Sequence, residues 1–254
     1  MTDKAEAALR YEVAAATLLL NAEGLLGYSG HVSARLPDAE LFLVQTIDDS
    51  RAAVRPDRLL ICDLDGRVID GPRGAKAPAE VAIHGEILRA RPDVRAILHH
   101  HPDSATVFTL AAGARLELVK NHATRWASGI PVHHDPAHID TAERGRALAA
   151  TLGGCHAALI RAHGAVIVAE DVPALLVDAV HFEENARACY AARMLGQVAP
   201  LTAAELDGFA QRFDRARHVR KLWTYYVGRG VAAGTIPEEW DRILQEPAVA
   251  YGRG

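Results

Sequence analysis

The sequence predicts one α/β domain, with helices packed on a sheet. Three observations predict it. Stretches with apolar residues at helical spacing, near 7–23, 78–91, 141–152 and 173–196, alternate along the chain with short apolar runs of strand length at 41–45, 58–69, 95–101 and 157–169. Glycines and prolines punctuate the joins between them. A chain of 254 residues, half of them hydrophobic, carries ample core for a single body. The domain is expected to span 1–254, with 228–254 a tail that frays unless a neighbouring subunit orders it.

Taken in order, residues 7–23 form a helix in which Leu9, Val13, Ala16, Leu19 and Leu20 share a side, and Gly24 and Gly27 end it. Residues 27–37 hold two glycines and small polar residues, among them Gly30, His31 and Ser33. Their backbone N–H groups suit an anionic ligand group, and equally a plain turn into a strand. The run 41–45 reads as a strand, and 58–69 as two strands joined at Asp65-Gly66. Pro78 suits the first turn of a helix that runs to Arg91-Pro92 and carries Glu80 in that turn, where the helix dipole favours a carboxylate. His84, one turn on, either joins Glu80 on a metal or packs behind it; the second reading is preferred.

The stretch 95–102 is the centre of the pattern. A short apolar run enters His99-His100-His101, and because strand side chains alternate, His99 and His101 project together while His100 points away. Two imidazoles on one face are half of a metal site, and a further ligand is needed from elsewhere. On spacing alone the same residues also suit a strand ending in a polar loop.

Beyond it, 104–112 reads as helical, 116–122 as a short strand, and 123–134 as a polar segment. His133 and His134 are adjacent, so on a strand they face opposite ways and do not chelate together. Residues 141–152 form a helix closed by Gly153-Gly154, and 157–169 give two strand runs broken at His163-Gly164. A glycine there admits close approach of another group, which suits His163 to be a third imidazole ligand as well as an ordinary loop histidine. Residues 173–196 form an amphipathic helix, and 202–227 a further helical stretch ending in Trp223, Tyr225 and Tyr226.

With a formal net charge of -4 and no basic block or aromatic-interleaved basic stripe, nothing in the sequence asks for nucleic acid, and none is expected as a partner. Cys62, Cys155 and Cys189 are scattered without CxxC spacing, as buried thiols in a reducing compartment would be. The first residues lack an apolar signal core, and no apolar run approaches the roughly 20 residues of a membrane span, so no membrane association and a cytoplasmic location are expected.

Together these segments resemble the class II aldolase/adducin family over nearly the whole chain. The matching elements are the Gly-x-x-Ser-x-Arg segment at Gly30, Ser33 and Arg35, Glu80 with His84, the Arg91-Pro92-Asp93 lead into His99-x-His101, and Arg161-x-His163-Gly164. The resemblance implies a three-layer α/β/α fold with a largely antiparallel central sheet, assembled as a homotetramer with active sites at subunit interfaces. It implies His99, His101 and His163 as metal ligands, with Glu80 binding the ion or acting as acid/base. Zinc or manganese is the expected ion, with iron and cobalt also suited to such a donor set.

Departures from the family's sugar-phosphate enzymes choose among reactions. The residues standing where their phosphate cradle would be are Gly30-His31, Thr46-Ile47 and Pro78-Ala79, so its hydroxyls and glycines are largely missing. His31, Ser33, Lys76 and Arg125 are instead the expected substrate contacts, the basic ones suited to carboxylates. The chain, notably 120–129, looks most like the branch that decarboxylates hydroxylated aromatic dicarboxylates through a metal-stabilised, enolate-like ring. Candidates for the proton donor are Glu80, His31 and Tyr225 or Tyr226 of a neighbouring subunit. Two alternatives stand beside this lyase: an aldolase acting on a non-phosphorylated hydroxy-keto acid, and an adducin-like binding module without chemistry.

Overall fold

Strand runs of the sequence assemble into one sheet because their apolar residues alternate between two faces that helices then cover. The computed structural model describes residues 2–37 and 39–246. The chain opens with α1 (Thr2–Ala22) and passes into β1 (His31–Arg35), β2 (Leu41–Val44), β3 (Leu60–Asp63) and β4 (Val68–Asp70). Next come α2 (Ala82–Ala90), β5 (Ala96–His100) and the short α3 (Asp103–Thr106). β6 (Val132–His133), α4 (Ala142–Leu152), β7 (Ala157–Ile160) and β8 (Gly164–Ala169) complete the sheet. The rest is helical: α5 (Val172–Leu195), α6 (Ala203–Ala210), α7 (Arg215–Ala232) and α8 (Asp241–Gln245).

The strand order is β4-β3-β2-β1-β5-β8-β7-β6, and every pairing is antiparallel except the β6–β7 edge. One face, with Phe42, Ile97, Ile160 and Val166, packs on α2 and α4 through Ile83, Ile87 and Leu148. The other, with Leu98, Leu159, Ala165 and Ile167, packs on α1 and α5 through Val13, Leu20, Leu176 and Phe182. The result is the three-layer α/β/α architecture that the resemblance implies, with β1, β5 and β8 at its centre.

Four segments differ from the sequence reading, each for a physical reason. Residues 116–122 are not a strand: the Asn185 side chain accepts from the N–H groups of Val119 and Lys120 and donates to the Glu117 carbonyl, serving their backbone as a partner strand would. Residues 104–112 hold only α3 and a 3-10 turn, Val107–Thr109. The helix expected over 202–227 is broken, because Asp214 caps a new N-terminus by accepting from the Arg217 N–H. The reading of 228–254 as a tail is corrected for residues 228–246: α7 continues to Ala232, and Ile236, Trp240 and Leu244 are buried in the chain's own core. There the Trp240 ring meets Tyr11 of α1 edge-on at 5.4 Å. Residues 247–254 lie outside the described residues.

α5 is also less one-sided than expected. Asp178, His181, Glu183 and Asn185 on its polar side are buried with its apolar residues, since α1, α3 and α7 enclose it against the sheet. No helix among the described residues is long and apolar enough to cross a membrane.

Candidate metal centre

β1 and β5 lie side by side with His31 opposite His99, so strand pairing alone brings two imidazoles from distant parts of the chain onto one face. His99 is fully buried on the α2 side of β5, and its Nδ1 lies 3.1 Å from the Ala165 carbonyl. That carbonyl can only accept, so Nδ1 carries the proton and the Nε2 lone pair is left free. His101, just past the strand, has its ring 4.9 Å from that of His99. His163, in the β7–β8 turn, has its ring 5.1 Å from His99 and 5.2 Å from His101.

Gly164 makes this meeting possible. A Cβ there would sit 2.3 Å from the His100 carbonyl oxygen and 2.9 Å from His101 Cδ2. Only a glycine lets the turn press this closely against the end of β5.

Glu80 closes the group from the α2 side. It sits in the turn ahead of α2, two residues before the helix begins at Ala82, not within the first helical turn as the sequence suggested. Its Oε2 lies 3.3 Å from His99 Nε2, its Oε1 3.6 Å from His163 Nε2, and Oε1 accepts from the Ile139 N–H at 2.8 Å. Burial alone would push this carboxyl up, but the contacts with His163 and His99 and the Ile139 N–H hold it well below the ordinary carboxylate range. Burial, then the neighbouring His99 and His163, pushes His101 down to about 4, so its ring is neutral near pH 7.

One ligand atom from each of Glu80, His99, His101 and His163 lies within 4.8 Å of the others. His99 Nε2 and both ring nitrogens of His163 are buried and have no hydrogen-bond partner among the described residues. Buried imidazole nitrogens are rarely left so, and a carboxylate among neutral imidazoles is a donor set that suits a divalent cation. The residues therefore fit the ion that the sequence pattern implies.

The group opens into a cavity of about 530 Å³ whose lining includes His31, Arg51, Glu80, His101, His138 and His163. His31 is nearly buried, and its Nδ1 lies 2.6 Å from His84 Nε2, while His84 Nδ1 lies 2.6 Å from Ser33 Oγ. Burial, then the adjacent His84, holds His31 well below its ordinary value, and burial brings His84 to about 3. His84 thus supports His31 from behind and is not among the clustered ligand atoms.

Three expected substrate contacts are corrected. Ser33 faces α2 and is sealed under His84, with none of its surface in the cavity. Lys76 is exposed and not itself among the cavity-lining residues, although its carbonyl accepts from the N–H of Ile47, which is one of them. Arg125 belongs to an ion-pair network on α5, donating to Asp178 Oδ2 and Glu170 Oε2, each at 2.9 Å. Tyr225 lies on α7, 57 % exposed and away from this chain's own cavity.

Among the lining residues that sequence reasoning missed are two basic ones, His138 and Arg51. His138 reaches the rim from the loop before α4, with Nδ1 3.6 Å from Glu80 Oε1. Arg51, from the loop after β2, is 6 % exposed and still reaches the cavity. Neither carries a local signal, because each arrives by the folding of an irregular loop.

The Arg125 network yields a stability prediction. Asp178 is buried between Arg125 and Arg215, which donate to it at 2.8–2.9 Å. Asp178→Ala leaves both guanidinium groups sharing Glu170 alone, so unfolding free energy in urea should fall by about 1–3 kcal/mol, the range for lost hydrogen bonds between charged groups, with metal content unchanged.

A second group, His122, His181 and Glu184, lies between α5 and the 3-10 turn at Asn121–Trp126, away from the cavity. The His122 and His181 rings stack at 4.2 Å and 15°, and His218 Nε2 is 3.5 Å from His181 Nε2. Burial, then the neighbouring Lys120, brings His122 to about 4; burial, then His122, His218 and Arg215, brings His181 to about 3. The unfolded chain takes up these protons near 6.5 and the folded chain only near 3–4, so stability is full above pH 6.5 and lost as pH falls toward 4. Urea midpoints at pH 7.5 and 4.5 should therefore differ less for His181→Gln than for the parent.

Comparison with known proteins finds relatives over most of the chain. Residues 11–190 match the class II aldolase and adducin N-terminal domain. A 3,4-dihydroxyphthalate decarboxylase of Rhodococcus jostii (strain RHA1) is 30% identical over 190 residues, covering 70% of this chain and 77% of the relative. A 5-methylthioribulose-1-phosphate/5-deoxyribulose-1-phosphate aldolase of Rhodospirillum rubrum is 29% identical over 188 residues, covering 74% of this chain and 82% of the relative. In three dimensions, an aldolase II superfamily protein from Pseudomonas syringae superposes with a TM-score of 0.81 at 23% identity, covering 91% of this chain and 95% of its own, which marks a shared fold.

Proposed function

The chain belongs to the class II aldolase and adducin family, and we propose that within it the protein is a metal-dependent carbon–carbon lyase that decarboxylates a hydroxylated aromatic dicarboxylate. One observation carries the reading: Glu80 faces two buried imidazole nitrogens, His99 Nε2 and His163 Nε2, that have no hydrogen-bond partner among the described residues, beside an open cavity. The decarboxylase relative, 30% identical over most of its length, supports the choice of reaction.

His99, His101, His163 and Glu80 would hold the ion, zinc or manganese being the first candidates and iron or cobalt also suited. When bound, it supplies Lewis acidity toward substrate oxygens. The protein's own groups do the rest. The Ala165 carbonyl fixes the His99 tautomer, and the low values of His101 and His31 keep both rings neutral at working pH. As the ring–carboxylate bond breaks, CO2 leaves and its electron pair stays on the ring carbon, which then takes a proton. His31 lines the cavity where that proton is needed, with Nδ1 occupied by His84 and Nε2 left for substrate, while Glu80, held as a carboxylate, would first take up a proton from the substrate hydroxyl before returning it. Tyr225 would serve only from a neighbouring subunit of a homotetramer.

The test is product analysis. Metal-loaded protein given ortho-hydroxy aromatic dicarboxylates should release CO2 in step with loss of substrate, without an aldehyde. The aldolase relative supports a second reading, cleavage of a non-phosphorylated hydroxy-keto acid, for which an aldehyde would appear instead. Absence of bound metal and of both products would leave the adducin-like binding module.

A further inference from the structure

The cavity wall holds a cation that the reaction described above does not use. Arg51 is almost entirely buried, and its guanidinium is pinned by backbone alone. Nε donates to the Gly30 carbonyl at 3.0 Å, and Nη1 donates to the carbonyls of Ile47 and Asp49 at 3.2 and 2.7 Å. These bonds use three of its five N–H groups. The two on Nη2 have no acceptor among the described residues.

Among the described residues no carboxylate bonds to it, and only the nearby charge of Asp49 acts on it. Asp49, the acid nearest in sequence, gives both oxygens to Arg58 at 2.8–3.2 Å. A buried guanidinium satisfied on one side by neutral carbonyls, with an open nitrogen beside a cavity, gains most from an incoming anion. The residue is also rigidly tied to the metal centre. Gly30, whose carbonyl takes Nε and the Gln45 side chain, leads directly into His31, and a Cβ on Gly30 would lie 2.7 Å from the His99 carbonyl.

We infer that Arg51 is the anchor for a substrate carboxylate, the one retained when the other leaves as CO2. The inference deepens the decarboxylase reading and rests on it. A carboxylate fits better than a phosphate because the surrounding loop has few donors left: the Ile47 N–H is given to the Lys76 carbonyl and the Asp49 N–H to Thr46 Oγ1. The two N–H groups of Nη2 diverge, so they serve one carboxylate oxygen directly and are too few for the several charged oxygens of a phosphate. Arg51 thereby takes the part that the sequence reading gave to Lys76 and Arg125.

The experiment is calorimetric titration of metal-loaded protein with benzene-1,2-dicarboxylate, benzoate and glycerol 3-phosphate, none of which carries the ring hydroxyl needed for turnover. The parent should bind the dicarboxylate about 10–100-fold more tightly than benzoate, the range of a hydrogen bond to a charged group. Arg51→Met should abolish that excess at unchanged metal content, and Arg51→Lys, which keeps the charge and loses the carbonyl bonds that fix the guanidinium plane, should retain a small part of it. Where Arg51→Met does not fold, Arg51→Lys decides alone: an excess equal to the parent's overturns the proposal, and a reduced one supports it. An Arg51→Met protein that folds and keeps the full excess also overturns it, as does an Arg51-dependent preference for glycerol 3-phosphate over the dicarboxylate. Failure of the enzymatic reading has a different signature: dicarboxylate binding stays Arg51-dependent while no hydroxy-aromatic acid releases CO2.

Discussion

His99→Ala should abolish metal binding and turnover together. The ring it removes is the hub of the site: it lies 5.3 Å from His31, 4.9 Å from His101 and 5.1 Å from His163, and its Nε2 is 3.3 Å from Glu80. Loss of groups that merely orient a ligand weakens metal affinity about 10–100-fold, so loss of a ligand itself should exceed about 100-fold. Elemental analysis after dialysis should find the parent loaded and the variant nearly bare, with CO2 release falling below detection. The metal-free variant should still fold, since a truncated core side chain costs only about 2–5 kcal/mol. A variant that keeps its ion in full would sink the assignment of His99.

Gly164→Ala should be damaging without touching any ligand. The new methyl would lie 2.3 Å from the His100 carbonyl oxygen, a backbone atom that retreats only if β5 and β8 part. Overpacking of this kind costs about 3 kcal/mol or more, read as a lower urea midpoint. His101 and His163 would shift with their strands, so metal affinity should fall as well. Gly154→Ala is the control: its Cβ meets nothing within 4 Å, and the variant should stay within about 0.5 kcal/mol of the parent. Equal midpoints for the two variants would show that the close approach at Gly164 is not needed.

What the sequence revealed about this site follows the range of the forces involved. His99 and His101 could be read as a pair because alternation along a strand is a local rule, and His163 could be read because a histidine beside a glycine between two strand runs marks a tight passage. Glu80 was recognised through the resemblance, although its place ahead of α2 depends on how that turn meets Ile139, fifty-nine residues on. Arg51 and His138 were not legible. Their positions depend on loops folded by contacts such as the bond from Arg51 to the Gly30 carbonyl, and no periodicity records such bonds.

Lys76 and Arg125 show the opposite error. A cation near the right segment looks like a substrate contact until its partners are known, and the acids that claim Arg125 lie 45 and 53 residues away. The fold behaves in the same manner. Its sheet and main helices follow from apolar spacing, whereas 116–122 fails to become a strand because one distant side chain, Asn185, serves its backbone. Local patterns carried the secondary structure, and tertiary hydrogen bonds decided the exceptions.

The most direct measurement is anomalous X-ray scattering from crystals of the protein soaked in manganese or zinc. The account predicts one strong peak per chain bonded to His99 Nε2 and to ring nitrogens of His101 and His163, with a Glu80 oxygen beside it. A peak at His122, His181 and Glu184 alone, or no peak at all, would contradict it.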